Sequence, residues 1–178
     1  MMRFLSLFLL AAALTSCAPA ADPAAETRTV YLVRHAEKCT EPADDPALTP
    51  YGQERAWSLA RVLKDVPVEA IYSTPLRRTL DTVEPLAAAI GISVTETPIR
   101  EGFMEALADS ILASRHARIL VSGHSNTTAR MANLLAGTDF PDLDESEYDR
   151  LFVVHLGGVP TVDVLRYGAI SGSPESCF

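Results

Sequence analysis

The stretch TVYLVRHAE, residues 29–37, decides how the rest of the chain is read. Its first five residues are β-branched, aromatic or aliphatic. Such a run suits a strand covered on both faces, as in a parallel sheet. It ends abruptly in Arg34, His35 and Glu37. An arginine and a histidine at the mouth of a buried strand have two readings. Either they are a polar strand end in water, or an imidazole there works on an anion.

Outward from this strand, apolar spacing alternates between two periods. Thr49 is a suitable N-cap and Pro50 suits a first helical turn. Ala56, Leu59, Ala60 and Leu63 follow at helical spacing. Residues 68–72 read as a short strand. A second helix opens at Pro75 and closes at Gly91, and Pro85 predicts a kink or break inside it. Residues 92–97 form a weaker strand. Residues 103–114 carry the helical stripe Met104, Leu107, Ala108, Ile111 and Leu112. Residues 118–122 are a third apolar strand, and residues 126–136 a helix ended by Gly137. Two late strands, 151–156 and 161–167, flank the turn at Gly157 and Gly158. Strands alternating with helices imply an α/β domain with a mostly parallel sheet. Neither GxGxxG nor a P-loop is present.

The first residues read as an export signal. Arg3 gives a basic start, residues 4–14 are apolar except for Ser6, and Thr15, Ser16 and Cys17 close the run. The run is short for a membrane span. LTSC (14–17) resembles a bacterial lipobox, which makes Cys17 the lipidation site. An ordinary signal cut near Ala20 or Ala21 is the other reading. Residues 18–27, rich in Ala, Pro and acid, read as a flexible tether. Residues 28–178 are then one domain. The expected location is the bacterial cell envelope, lipid-anchored and facing the periplasm. The anchor is the expected membrane contact. Cys39 and Cys177 remain; in an oxidising compartment they form a bridge or stay as two free thiols, and export favours the bridge.

The chain has 178 residues and a formal net charge of −8. An acidic chain lacks the basic face that nucleic-acid binding needs. Any anion site is therefore a local pocket. Parallel sheets bind ligands at the carboxyl ends of their strands. Arg34 and His35 end the first strand; Ser73 and Thr74 end the second, with Arg77 and Arg78 just beyond. Ser122, Gly123, His124, Ser125 and Asn126 follow the strand at 118–122. Guanidinium groups beside imidazoles suit a doubly charged oxyanion, with phosphate foremost. Backbone N–H groups at Ser125 and Asn126 add donors at a helix start. Two histidines around a phosphoryl group point to nucleophilic catalysis. His116 and His155 carry no such flanks and read as surface and core or edge residues. Asp44 and Asp45 read as loop charge. Glu37 reads as a partner of the site or as a solvated loop acid.

RHAE (34–37), LTPYG (48–52), TPLRRTLDT (74–82) and VSGHSNT (121–127) together resemble the histidine phosphatase superfamily, in its phosphoglycerate mutase-like branch. The resemblance implies a three-layer sandwich, a mostly parallel central sheet flanked by helices. It makes His35 the nucleophile, with Arg34 and Arg78 holding the phosphoryl group. His124 is the second histidine of that pocket, and Ser125 joins it in binding phosphate. Arg78 is matched over Arg77 because it directly precedes Thr79. No metal or organic cofactor is implied. The substrate is a phosphorylated small molecule or a phosphoprotein. The proton donor departs from the family pattern: Glu101 is the candidate, with Glu105 behind it. A missing acid favours good leaving groups, such as phosphohistidine. Two other classes stand beside this reading. One is a metal-dependent hydrolase using His35, Glu37 and His124, which the neighbouring arginines oppose. The other is a non-catalytic phosphate- or phosphoprotein-binding lipoprotein of the same fold.

Overall fold

The computed structural model describes residues 28–170 and Cys177. The expected signal peptide, Cys17 and the tether lie outside the described residues. In chain order the elements are β1 (Arg28–Arg34), α1 (Pro50–Leu63), β2 (Ala70–Ser73), α2 (Arg77–Ile90) and β3 (Val94–Glu96). They continue with α3 (Phe103–Ala113), β4 (Arg118–Gly123), α4 (Ser125–Ala136), β5 (Arg150–Leu156) and β6 (Thr161–Arg166). The strands form one sheet in the order β3-β2-β4-β1-β5-β6. The first four strands of that order pair in parallel; β5 runs antiparallel to β1, and β6 to β5. The sheet is therefore mixed, with the parallel part carrying the three motif-bearing strand ends. No helix among the described residues is long and apolar enough to cross a membrane.

The sheet is buried on both faces, which accounts for the unbroken apolar runs. Val30 and Leu32 of β1, Ile119 and Val121 of β4, and Phe152 and Val154 of β5 pack with α3 and α4. Val33, Leu120, Leu151 and Val153, offset by one residue, pack with α1 and α2 on the opposite face. Side chains alternate along a strand, so adjacent apolar residues feed separate cores. β6 is the outer strand and is mostly exposed.

Two local expectations change. α2 runs through Pro85 without breaking. It also begins at Arg77, two residues after Pro75. Its first N–H groups lack helical partners, and Asp45 Oδ1 accepts from Arg77 N–H at 2.8 Å. Asp45 is thus a helix cap brought in from a distant loop, not plain loop charge.

The chain after His35 is fastened at several points. Cys39 is disulfide-bonded to Cys177, with Cα atoms 5.7 Å apart. Thr49 caps α1 as its sequence predicts, accepting from Gly52 N–H at 3.0 Å. The Glu37 carbonyl accepts from Thr49 N–H at 2.9 Å. A Cβ on Gly52 would lie 2.1 Å from that same carbonyl oxygen, so only glycine fits there. The Glu37 side chain is buried and ion-paired with Arg55 at 2.6 Å. Arg55 Nη1 also donates to the carbonyls of Tyr167 and Ala169. One buried pair therefore ties the active loop, α1 and the end of β6 together.

Removing one member of a buried pair strands the other charge. Arg55→Met is expected to cost about 3 kcal/mol in urea unfolding. The double change Glu37→Gln with Arg55→Met is expected to recover part of that loss. Equal stability of the single variant and the wild type would show that the pair is not structural.

Candidate active site

Sheet register brings the motifs together. Arg34 pairs with Gly123 across β1 and β4, and Ser73 pairs with Ser122 across β2 and β4. The residues just beyond each pair, His35, His124 and Thr74, therefore share one edge of the sheet. His35 N–H donates to Gly123 O at 2.9 Å, which extends the β1–β4 pairing to the histidine itself. The two imidazole centroids lie 5.5 Å apart, edge to face.

His35 is 3% exposed. Its Nδ1 lies 2.8 Å from the Ala36 carbonyl. A carbonyl only accepts, so Nδ1 carries the proton and Nε2 keeps its lone pair. Burial lowers the His35 pKa to about 3, against the Ala36 bond and with help from the charges of Arg34, His124 and Arg78. Burial, then Arg78 and Arg34, lower His124 to about 4. Both rings are neutral at neutral pH.

Arg34 is 1% exposed. Its Nη1 donates to the carbonyls of Asp144, Glu145 and Glu147 at 2.9–3.1 Å. Its Nη2 donates to Glu145 Oε2 at 2.6 Å. The guanidinium stacks 4.1 Å from the Tyr148 ring centroid. Arg34 Nε and Arg78 Nε are both buried without a hydrogen-bond partner. Buried guanidinium donors left unpaired cost free energy unless an anion meets them. They mark this edge as an oxyanion site.

Threonines hold the second histidine and the second arginine. Thr79 Oγ1 lies 2.9 Å and 2.7 Å from the carbonyls of Thr74 and Leu76, so its one proton goes to a carbonyl. Thr74 Oγ1, 2.9 Å away, then donates to Thr79 and accepts from His124 Nε2–H at 3.0 Å. Thr82 Oγ1 donates to Arg78 O at 2.7 Å and accepts from Ala36 N–H at 2.9 Å. The Arg-Thr-x-x-Thr spacing is thus structural: one threonine fixes the turn before α2, and the other joins α2 to the chain beside His35. Thr127 Oγ1 accepts from His124 N–H at 2.8 Å. A Cβ on Gly123 would sit 2.7 Å from that hydroxyl, so the glycine makes room for the cap.

Of the residues expected here, Arg34, His35, His124 and Ser125 come together, and Arg78 acts on both histidines. Arg77 faces solvent and pairs with Asp81. Glu101 is exposed in the turn before α3. Glu105 pairs with Arg130 on the outer surface of α3 and α4. No hydrogen bond or ion pair of the described residues joins either acid to the site. Among the described residues, no group of three or more His, Cys, Asp or Glu side chains gathers to hold a metal. His116 lies beside Glu69 and His155 beside Asp163, both away from this edge. Thr74, Thr79, Thr82 and Thr127 stand in the motifs without these roles being anticipated, and Tyr148 and Glu145 were not anticipated at all.

A family description of the histidine phosphatase superfamily (branch 1) matches residues 30–107. Over those residues the chain is similar to the histidine phosphatase superfamily. The matched stretch contains Arg34, His35 and Arg78; the β1–β4 register adds His124 to them. A probable phosphoglycerate mutase GpmB of Erwinia tasmaniensis is 34% identical over 110 residues, covering 54% of this chain and 51% of that protein. A protein of the same name from Escherichia coli O139:H28 is 30% identical over 110 residues, covering 58% and 49%. The chain spans about half the length of these curated relatives. The fold is similar to that of the protein histidine phosphatase SixA complexed with tungstate. There the TM-score is 0.66 and the identity 20%, over 78% of this chain and 96% of that one. It is also similar to mycobacterial glucosyl-3-phosphoglycerate phosphatase, with TM-score 0.63 and 14% identity, over 80% and 100%. These structures share the α/β architecture of this chain.

The lowered histidines have a consequence for stability. In the unfolded chain each titrates near 6.5; in the fold they titrate near 3 and 4. Between those values the unfolded state binds more protons, so stability rises with pH. It is fully present above about pH 6.5 and is lost as pH falls toward 3. His35→Asn is expected to flatten this dependence by up to about 1.4 kcal/mol per pH unit. Urea midpoints at pH 4, 5, 6 and 7 check it; parallel curves for both proteins would contradict it.

Proposed function

We propose that the protein is a phosphatase that works through a covalent phosphohistidine on His35. The observation that carries this is the His35 ring, neutral and with Nε2 free, beside buried unpaired donors of Arg34 and Arg78. In the first step the Nε2 lone pair forms a bond to phosphorus, and the bond from phosphorus to the leaving oxygen or nitrogen breaks on the opposite side. Arg34, Arg78 and His124 Nε2–H take the developing charge on the three other oxygens. In the second step water attacks phosphorus, the P–N bond breaks and its electron pair returns to Nε2. The water proton leaves with solvent and phosphate is released.

The substrate is a phosphate monoester or phosphohistidine, on a small molecule or a protein. Glu101 and Glu105 make no contact with the site, and this supports leaving groups that need no proton from a placed acid. Phosphohistidine is one, since its imidazole leaves readily. The arginine-rich pocket supports chemistry without a metal. The proposed location is the periplasmic side of the bacterial envelope, with Cys17 as lipid anchor; the Cys39–Cys177 pairing supports an oxidising compartment.

The test is p-nitrophenyl phosphate hydrolysis by the whole protein with EDTA present. Turnover is expected to survive EDTA. It is expected to fall by about 10³-fold or more in His35→Ala and by roughly 10²-fold in Arg78→Ala. Phosphate binding without turnover would overturn the catalytic reading in favour of a phosphate-binding protein. Activity lost in EDTA and restored by a divalent cation would overturn the metal-free one.

A further inference from the structure

One carboxylate sits among the donors assigned to phosphate. Glu145 Oε2 lies 2.6 Å from Arg34 Nη2, and Glu145 Oε1 lies 2.6 Å from Ser125 Oγ. The remaining donor on that edge of the guanidinium, Arg34 Nε, is buried and unpaired. Nε and Nη2 form the parallel fork by which arginine grips an oxyanion. A phosphoryl group using the fork must share Nη2 with Glu145 or displace it.

The backbone around Glu145 is fastened by contacts that do not use its side chain. Leu143 N–H donates to Ser125 O at 3.0 Å. Asp144 Oδ1 accepts from Ser146 N–H and Ser146 Oγ–H, fixing the turn. Three carbonyls of the loop hold Arg34 Nη1. None of these contacts uses the Glu145 carboxylate, which is 78% exposed. It can leave by rotation of its own side chain, with the loop and Arg34 staying in place.

We infer that Glu145 is an internal stand-in for the substrate oxyanion, bridging Arg34 and Ser125 and displaced when a phosphoryl dianion enters. This rests on the phosphatase reading above and adds a residue that sets its affinity and selectivity. Without this carboxylate the cationic donors would stay unpaired or collect stray anions. A singly charged, surface-exposed carboxylate holds them weakly. A dianion able to meet Arg34, Arg78 and His124 together outcompetes it, whereas a monoanion does not. The selectivity is thus for terminal phosphoryl groups over diesters and carboxylates. The Ser125 bond, then Arg34, holds the Glu145 carboxyl below its usual range, so it is ionised at neutral pH.

The test is calorimetric binding of inorganic phosphate to the whole protein and to Glu145→Gln and Glu145→Ala, with thermal midpoints confirming that each is folded. Both variants are expected to bind phosphate roughly three- to tenfold more tightly than the wild type. Acetate is expected to weaken phosphate binding in Glu145→Ala, where it refills the vacated place, and to have little effect on the wild type. Binding that is unchanged or weaker in both variants, with a wild type that binds normally, overturns this inference and leaves the phosphatase reading intact. Absence of phosphate binding in all three proteins overturns both.

Discussion

The structure turns on the burial of one guanidinium. Arg34 is among the largest fully buried side chains of the described residues, and a buried cation must be paired, hydrogen-bonded or both. The chain from 144 to 148 meets that demand with three carbonyls, one carboxylate and one aromatic face. The connection from α4 to β5 therefore takes its course from an arginine at the end of β1. Leu143 anchors the near side of the loop in the core beneath α3 and α4. The same buried charge then acts on both histidines. Arg34 and the β1–β4 register thus serve fold and chemistry together.

The two histidines illustrate how one environment yields two roles. Both are neutral at neutral pH, for the shared reasons of burial and nearby guanidinium charge. Their hydrogen bonds distinguish them. His35 spends its proton on Ala36 O and presents a lone pair; His124 presents a proton, held on Thr74 Oγ1. Burial, the largest cause at both rings, persists when a phosphoryl dianion binds; the dianion offsets the smaller effect of the guanidinium charges, and His35 keeps its lone pair. Thr74 keeps its own bond to Thr79 when His124 turns toward the ligand, so the switch leaves no buried hydroxyl stranded.

Much of this was legible in the sequence. The strands of residues 29–33 and 118–122 read clearly because burial on both faces leaves an unbroken apolar run. Arg34, His35, Arg78 and His124 were found because their neighbours form motifs in order. The motif threonines were quoted without their roles, since a side chain bonding the backbone of a distant element leaves no periodic trace. Asp45 capping α2 from 32 residues away is the same kind of contact. Glu145 was invisible for a stronger reason. It lies in an acidic run, PDLDESEYD (141–149), whose composition describes a solvated loop. Only the three-dimensional demand of Arg34 singles out one acid from its neighbours. Pro85 misled in the other direction, because a lost N–H weakens a helix locally while the packing of Val83, Leu86 and Ala87 holds it in register.

The selectivity proposed for the site fits how little of the described chain surrounds it. Between β2 and α2 lie residues 74–76, and between β3 and α3 residues 97–102, neither long enough to fold over a substrate. The two longer connections at this edge, 35–49 and 137–149, are already committed. The first is held by the Glu37–Arg55 pair and the Cys39–Cys177 bridge, the second by Arg34. Among the described residues little chain remains to grip what a phosphoryl group is attached to, so the proposed recognition is concentrated on that group. Under that constraint the leaving group is sorted by its own chemistry. On the phosphatase reading proposed above, a leaving group that departs without help is favoured over one that needs a placed acid. The proposed preference for labile phosphoryl groups, including those carried on protein histidines, is what an open site built from fastened loops would produce.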